Sequence, residues 1–146
     1  MPQQKPEFVT VKEFKTLASK LVQKYPEILD GIDPNLITCV AVTNKDPKEG
    51  QKPWEIRSVP YPIRLDNPYD HYVIVNQKEW DSYSDKHKAL LCFAVLSSID
   101  KEDPSKIVPF DLKDRAIIVR TVGTDYMERS DIPDILNENI KWKTDI

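Results

Sequence analysis

Few residues in this chain can do chemistry, and their spacing decides which chemistry is open. There are 2 histidines, His71 and His87, and 2 cysteines, Cys39 and Cys92. A metal site on a helix needs ligands at i and i+4 on one face. The i+4 neighbour of His87 is Leu91, and His71 comes just before a strand. Adding Asp70, Asp85 and Asp111 yields no pair at helical ligand spacing, so both histidines read as solvated or capping groups. Cys39 and Cys92 sit in apolar runs, where a thiol behaves as a small hydrophobe and its reactivity falls. Ser97 and Ser98 lack the Gly-x-Ser-x-Gly setting of a nucleophile elbow. Glu102, Asp103, Asp111 and Asp114 read as a solvated loop and a helix cap. With Gly31, Gly50 and Gly123 as the 3 glycines, neither a dinucleotide fingerprint nor a P-loop can be written.

Those residues must be positioned by one domain, since 146 residues suit one core. No apolar run approaches the roughly 20 residues that span a bilayer, and the start, MPQQKPEFVTVKEF, has no signal-type stretch. No membrane association and a cytoplasmic location are expected. The net charge is -3, with 24 acids against 21 bases spread along the chain. Without a clustered basic face, nucleic acid is not an expected direct ligand. Two cysteines make no disulfide framework. No cofactor is expected.

The pattern predicts an α+β fold, with a small antiparallel or mixed sheet packed on helices. Thr10-Val-Lys-Glu13 fits a capping box. Phe14, Leu17, Ala18, Leu21, Val22 and Tyr25 then follow at helical spacing until Pro26. Leu36 to Thr43 and Tyr72 to Val75 read as strands, and Trp54 to Val59 as a weaker edge strand before Pro60 and Pro62. Ser84 is a plausible N-cap for a helix whose run Ala89 to Leu96 is apolar on every side and must therefore be buried. A further helix is expected from about Asp111 to Val122, capped by Asp111 and stopped at Gly123. A short last helix is expected near Pro133.

Three pieces between Tyr72 and Gly123 resemble a family of small phage metallopeptidases within the zincin class. They are the strand and Trp of YVIVNQKEW, the helix entry Ser84-Asp-Lys-His-Lys-Ala-Leu-Leu91, and Phe110-Asp-Leu-Lys-Asp-Arg-Ala-Ile-Ile-Val-Arg-Thr-Val-Gly123. The resemblance implies a single zincin-like domain over residues 1–146, with its firm part at 72–123, a buried central helix and a C-terminal tail at 124–146. It also implies which residues should carry the chemistry. The family's first His, general-base Glu and second His fall on Phe93, Ala94 and Ser97, and its downstream His falls on Phe110. None of these side chains binds zinc or moves a proton at neutral pH, and Asp111 alone cannot hold a catalytic zinc, which needs three protein ligands.

The expectation is a pseudoenzyme: an inactive zincin-like phage or mobile-element protein that works in the host cytoplasm by binding, and inhibiting or redirecting, a host protein. A defence or nucleic-acid-processing factor is the kind of target such a protein would take. An acidic nucleic-acid mimic or binder is one alternative, and a residual hydrolase with a noncanonical site is another. The tail offers the best contact candidates, with Tyr126, Met127, Ile132, Ile135, Leu136, Ile140 and Trp142 interleaved with acids as in a docking helix. Its bland alternative is that Trp142 folds back and staples the terminus. The polar loop from Asn44 to Pro53 is the second contact candidate.

Overall fold

A computed structural model describes residues 5–47, 54–60, 62–99, 107 and 130–142. Four strands form a mixed sheet. β1 is Phe8–Thr10, β2 Ile37–Val42, β3 Glu55–Ser58 and β4 His71–Asn76. Their spatial order is β1-β2-β4-β3, with β2 and β4 parallel at the centre and both outer pairs antiparallel. α1 (Lys12–Lys24) joins β1 to β2, followed by the single turn α2 (Pro26–Leu29). After β4 come α3 (Gln77–Ser82) and α4 (Asp85–Ser97). Ile99 makes an isolated antiparallel bridge to Ile107.

Alternation along the central strands decides which face is covered. Ile37, Cys39 and Ala41 on β2 and His71, Val73 and Val75 on β4 are buried, while the residues between them, apart from Asn76 at the end of β4, are half-buried. A period of 2 puts each set on one face. α1 contributes Phe14, Leu17, Ala18 and Leu21 to the core and packs on both α4 and β2. α4 lies buried from Ala89 through Leu96. Among the described residues, no helix is long and apolar enough to cross a membrane.

Local chemistry sets the boundaries. Tyr25 leaves the helical region at φ -123° and ψ 59° because Pro26 follows it, and Pro26 then opens α2. Gly31, at φ 85°, takes the left-handed conformation that lets the chain turn away after α2. Asn76 ends β4 and caps α3, its side chain accepting from the Lys78 and Glu79 N–H groups. Ser84 caps α4 by accepting from the His87 N–H, as expected.

Two expected features differ. Thr10 does not open a capping box. It ends β1, paired with Val40, and the N-cap is Val11, whose side chain makes no cap bond. The Val11 N–H is instead drawn into the ladder by Cys39 C=O at 2.8 Å. Glu13 is thereby released to bind the Lys88 ammonium at 2.9 Å and the Trp80 indole at 3.2 Å. Nor does a helix start at Pro133: among the described residues 130–142 there is only a turn over 135–137. Tyr25 Oη and Lys24 Nζ both donate to Ile135 C=O, and Lys24 Nζ also donates to Glu138 C=O. Carbonyls that a growing helix would use are thus already engaged. The helix expected over Asp111 to Val122 lies outside the described residues.

Both thiols are buried and unpaired in a disulfide. Burial pushes the Cys39 thiol up from 9.0 to about 12 and raises Cys92 well above its ordinary value. A raised folded pKa favours the protonated form. Its contribution is complete below pH 9 and is lost as pH climbs toward 12. Stability is therefore expected to fall across that alkaline window. Thiol labelling at pH 8 is expected to proceed only at the rate of unfolding. Rapid labelling of the native protein would contradict the packing.

Candidate functional site

The helix positions that should carry chemistry are held by α4. Phe93 is fully buried, and Ala94 is 6% exposed. Ser97 is half-buried and its hydroxyl donates to Ala94 C=O at 3.0 Å, a bond within its own helix. Phe110 and Asp111 lie outside the described residues.

Phe93 belongs to an aromatic cluster that sequence alone did not place. Its ring stacks on Trp142 with centroids 4.0 Å apart and planes 7° from parallel. Tyr25 meets both rings edge-on, 5.9 Å from Phe93 and 5.7 Å from Trp142. The Tyr25 hydroxyl donates to Ile135 C=O at 2.6 Å, so the cluster also holds the backbone of the C-terminal segment. Burial raises the Tyr25 pKa, which keeps this donor protonated. Among the described residues, Trp142 Nε1 is the buried side-chain polar atom with no hydrogen-bond partner. Leaving such a donor unsatisfied costs about 1–3 kcal/mol, which the apolar contact of the ring offsets.

This arrangement relocates the tail residues singled out as contact candidates. Ile132, Ile135 and Trp142 are core residues at 2%, 0% and 7% exposure. Leu136 and Ile140 are half-buried against the same core. The segment is packed on the domain, as in the stapled alternative, so Ile132, Ile135 and Trp142 face the core, while Leu136 and Ile140 keep part of their surface exposed. Tyr126 and Met127 lie outside the described residues. The loop starting at Asn44 is anchored at its near end, because Asn44 bonds both Glu7 N–H and Lys5 C=O, and Asp46 pairs with Lys78. Its residues 48–53 lie outside the described ones.

A surface groove of about 690 Å³ lies between α1, the start of α4 and residues 134–137. It carries both signs of charge: Lys20, Lys24 and Lys88 against Glu13, Asp85 and Asp134. Its central charges are engaged. Lys88 pairs with Glu13 and lies 5.2 Å over the Trp80 ring, and Lys24 donates to backbone carbonyls. Hydrogen bonding from Asn137 holds the Asp134 carboxyl below the usual range.

His71 is not solvated. It is the first residue of β4, 1% exposed, with Nδ1 3.3 Å from the hydroxyl of Ser58 across the ladder. The clue was in the alternation of His71 with Val73 and Val75, which puts the imidazole on the buried face. A cavity of about 160 Å³ adjoins it, bordered by Asp33, Asp70 and Ile99. Serine chemistry would need free N–H groups aimed at a developing oxyanion. The nearby N–H groups of Asn35, Val59 and Asp70 are already given to Asp33, Asp70 C=O and Leu36 C=O. His87 sits at the start of α4, with Nδ1 2.6 Å from Ser84 Oγ and its ring stacked on Tyr83. Among the described residues, no three His, Cys, Asp or Glu side chains gather as a metal site would require.

Phe93→Ala is expected to lower stability by about 3–5 kcal/mol, from lost burial and a cavity. Trp142→Ala is expected to cost a similar amount. Trp142→Phe keeps a stacked ring and removes the orphan donor, so it should cost less than about 1.5 kcal/mol. Denaturant unfolding measures all three. A loss below about 1 kcal/mol for Phe93→Ala would place that ring at a surface.

The chain matches no family model, no curated protein and no solved structure.

Proposed function

We propose that this chain is a catalytically inactive, zincin-like protein of phage or mobile-element origin that acts by binding a protein of the host cell. The observation that carries this reading is the filling of the helix positions where a zincin places its ligands. A catalytic zinc needs lone-pair donors and an open position for water. Phe93 offers a ring closed against Trp142, Ala94 has no carboxylate, and Ser97 bonds within its helix. The frame would be retained because the same apolar packing holds the domain together.

Contact with a partner is best supported at the turn Ile63–Leu65, between β3 and β4. Ile63 is 58% exposed and Leu65 73% exposed. Large apolar side chains presented on a tight turn suit a partner's pocket, with Pro60 and Pro62 before the turn and Pro68 after it limiting the ordering entropy of docking. An acidic mimic is less favoured, because Glu55 pairs with Arg57, Asp46 with Lys78 and Glu13 with Lys88 rather than forming an all-acid face. A residual hydrolase at Ser58 and His71 lacks free oxyanion donors nearby.

Two measurements test this. Elemental analysis of the purified protein is expected to find no bound zinc, and about one tightly held zinc per chain would overturn the inactive reading. Affinity capture from host lysate should enrich a partner with the natural chain. Ile63→Ser with Leu65→Ser should weaken that capture at least about tenfold, the loss expected of one or two anchors. Equal capture by both chains would remove this turn from the interface.

A further inference from the structure

The two edges of the sheet are treated differently. β3 carries the exposed Glu55–Arg57 ion pair and is followed by Pro60, all of which deter another strand. β1 carries Phe8 and Val9, 49% and 47% exposed, and has no charge within its three residues. The ladder shows where its backbone groups point. Glu7 C=O accepts from Thr43 N–H and Val11 N–H donates to Cys39 C=O, so the odd positions bond inward to β2. The N–H and C=O groups of Phe8 and Thr10 therefore point outward from the edge.

From this geometry we infer that two copies of this chain join edge to edge through β1, antiparallel about a two-fold axis at Val9, extending the sheet across both copies. The register follows from the outward groups. Each Phe8 exchanges both backbone bonds with the partner's Thr10, and Val9 faces the partner's Val9 as a close non-hydrogen-bonded pair. That pairing covers the exposed valines with each other. It also brings Glu7 opposite the partner's Val11. The self-pairing is thus complementary in backbone bonding and apolar cover. So short an interface is weak, with a Kd on the order of 10–100 µM.

Sedimentation equilibrium from about 5 µM to about 1 mM tests this. A monomer–dimer equilibrium is expected. Val9→Lys sets two ammonium groups against each other at the axis and should raise the Kd at least about tenfold. Val9→Cys should give a disulfide-linked dimer under mild oxidation, since paired Cα atoms about 4.5 Å apart lie within disulfide reach and the natural thiols are buried. Circular dichroism confirms that each variant is folded. The inference is overturned if the natural chain stays monomeric throughout this range. It is equally overturned if its association survives Val9→Lys, or if Leu65→Lys rather than Val9→Lys abolishes it.

Discussion

Ala89 to Leu96 are buried on every side of α4, and that constraint organises the rest of the molecule. A helix with no polar face must be enclosed completely. The sheet contributes Ile37, Cys39, Ala41, Val73 and Val75 to this core, and α1 contributes Phe14, Leu17, Ala18 and Leu21. Ile28 and Leu29 of α2 belong to the same core, as do Ile132, Ile135 and Trp142 of the C-terminal segment. Each large side chain withdrawn from water contributes about 1.5–3 kcal/mol. The C-terminal segment is thus part of the domain's wall.

The same enclosure explains the shortage of chemistry around α4. A catalytic cleft keeps polar groups open to water and substrate, whereas this helix has been closed by an aromatic stack. Charged groups are displaced to the rim, where they tie elements together. Glu13 links α1 to α3 and α4 through Trp80 and Lys88, and Lys24 fastens the C-terminal segment by its carbonyls. These are structural uses of ionisable residues. Among the described residues, exposed apolar side chains gather on the turn Ile63–Leu65 and on the edge strand β1.

Several elements were legible because one local rule governed them without competition. The β-branched, apolar run Leu36 to Thr43 wrote β2, and the Ser84 hydroxyl wrote the start of α4. Pro26 ended α1 through a steric clash that no tertiary contact relieves. Where a distant group competed, the local signal lost. Thr10 had the chemistry of a helix cap, but β2 supplied a ladder partner that drew it into a strand. Residues 133–138 had a helix start, but the Tyr25 hydroxyl and the Lys24 ammonium took the carbonyls first. The candidate site followed the same pattern. The absence of metal-binding side chains at Phe93 and Ala94 was readable, and so was the alternative that Trp142 folds back, whereas its stacking on Phe93 and the Ser58–His71 contact were not anticipated.

The sequence by itself determined that α4 must be buried and that Phe93 and Ala94 on it cannot supply metal ligands or a general base. Both follow from side-chain chemistry, which needs no partner to be known. Only the tertiary structure decided that Trp142 would cover Phe93, that the tail would be core, and that β1 would be the unguarded edge. Those outcomes depend on contacts between residues far apart in the chain. Their energies come from area removed from water and from bonds exchanged between distant groups, and neither is encoded in any local window.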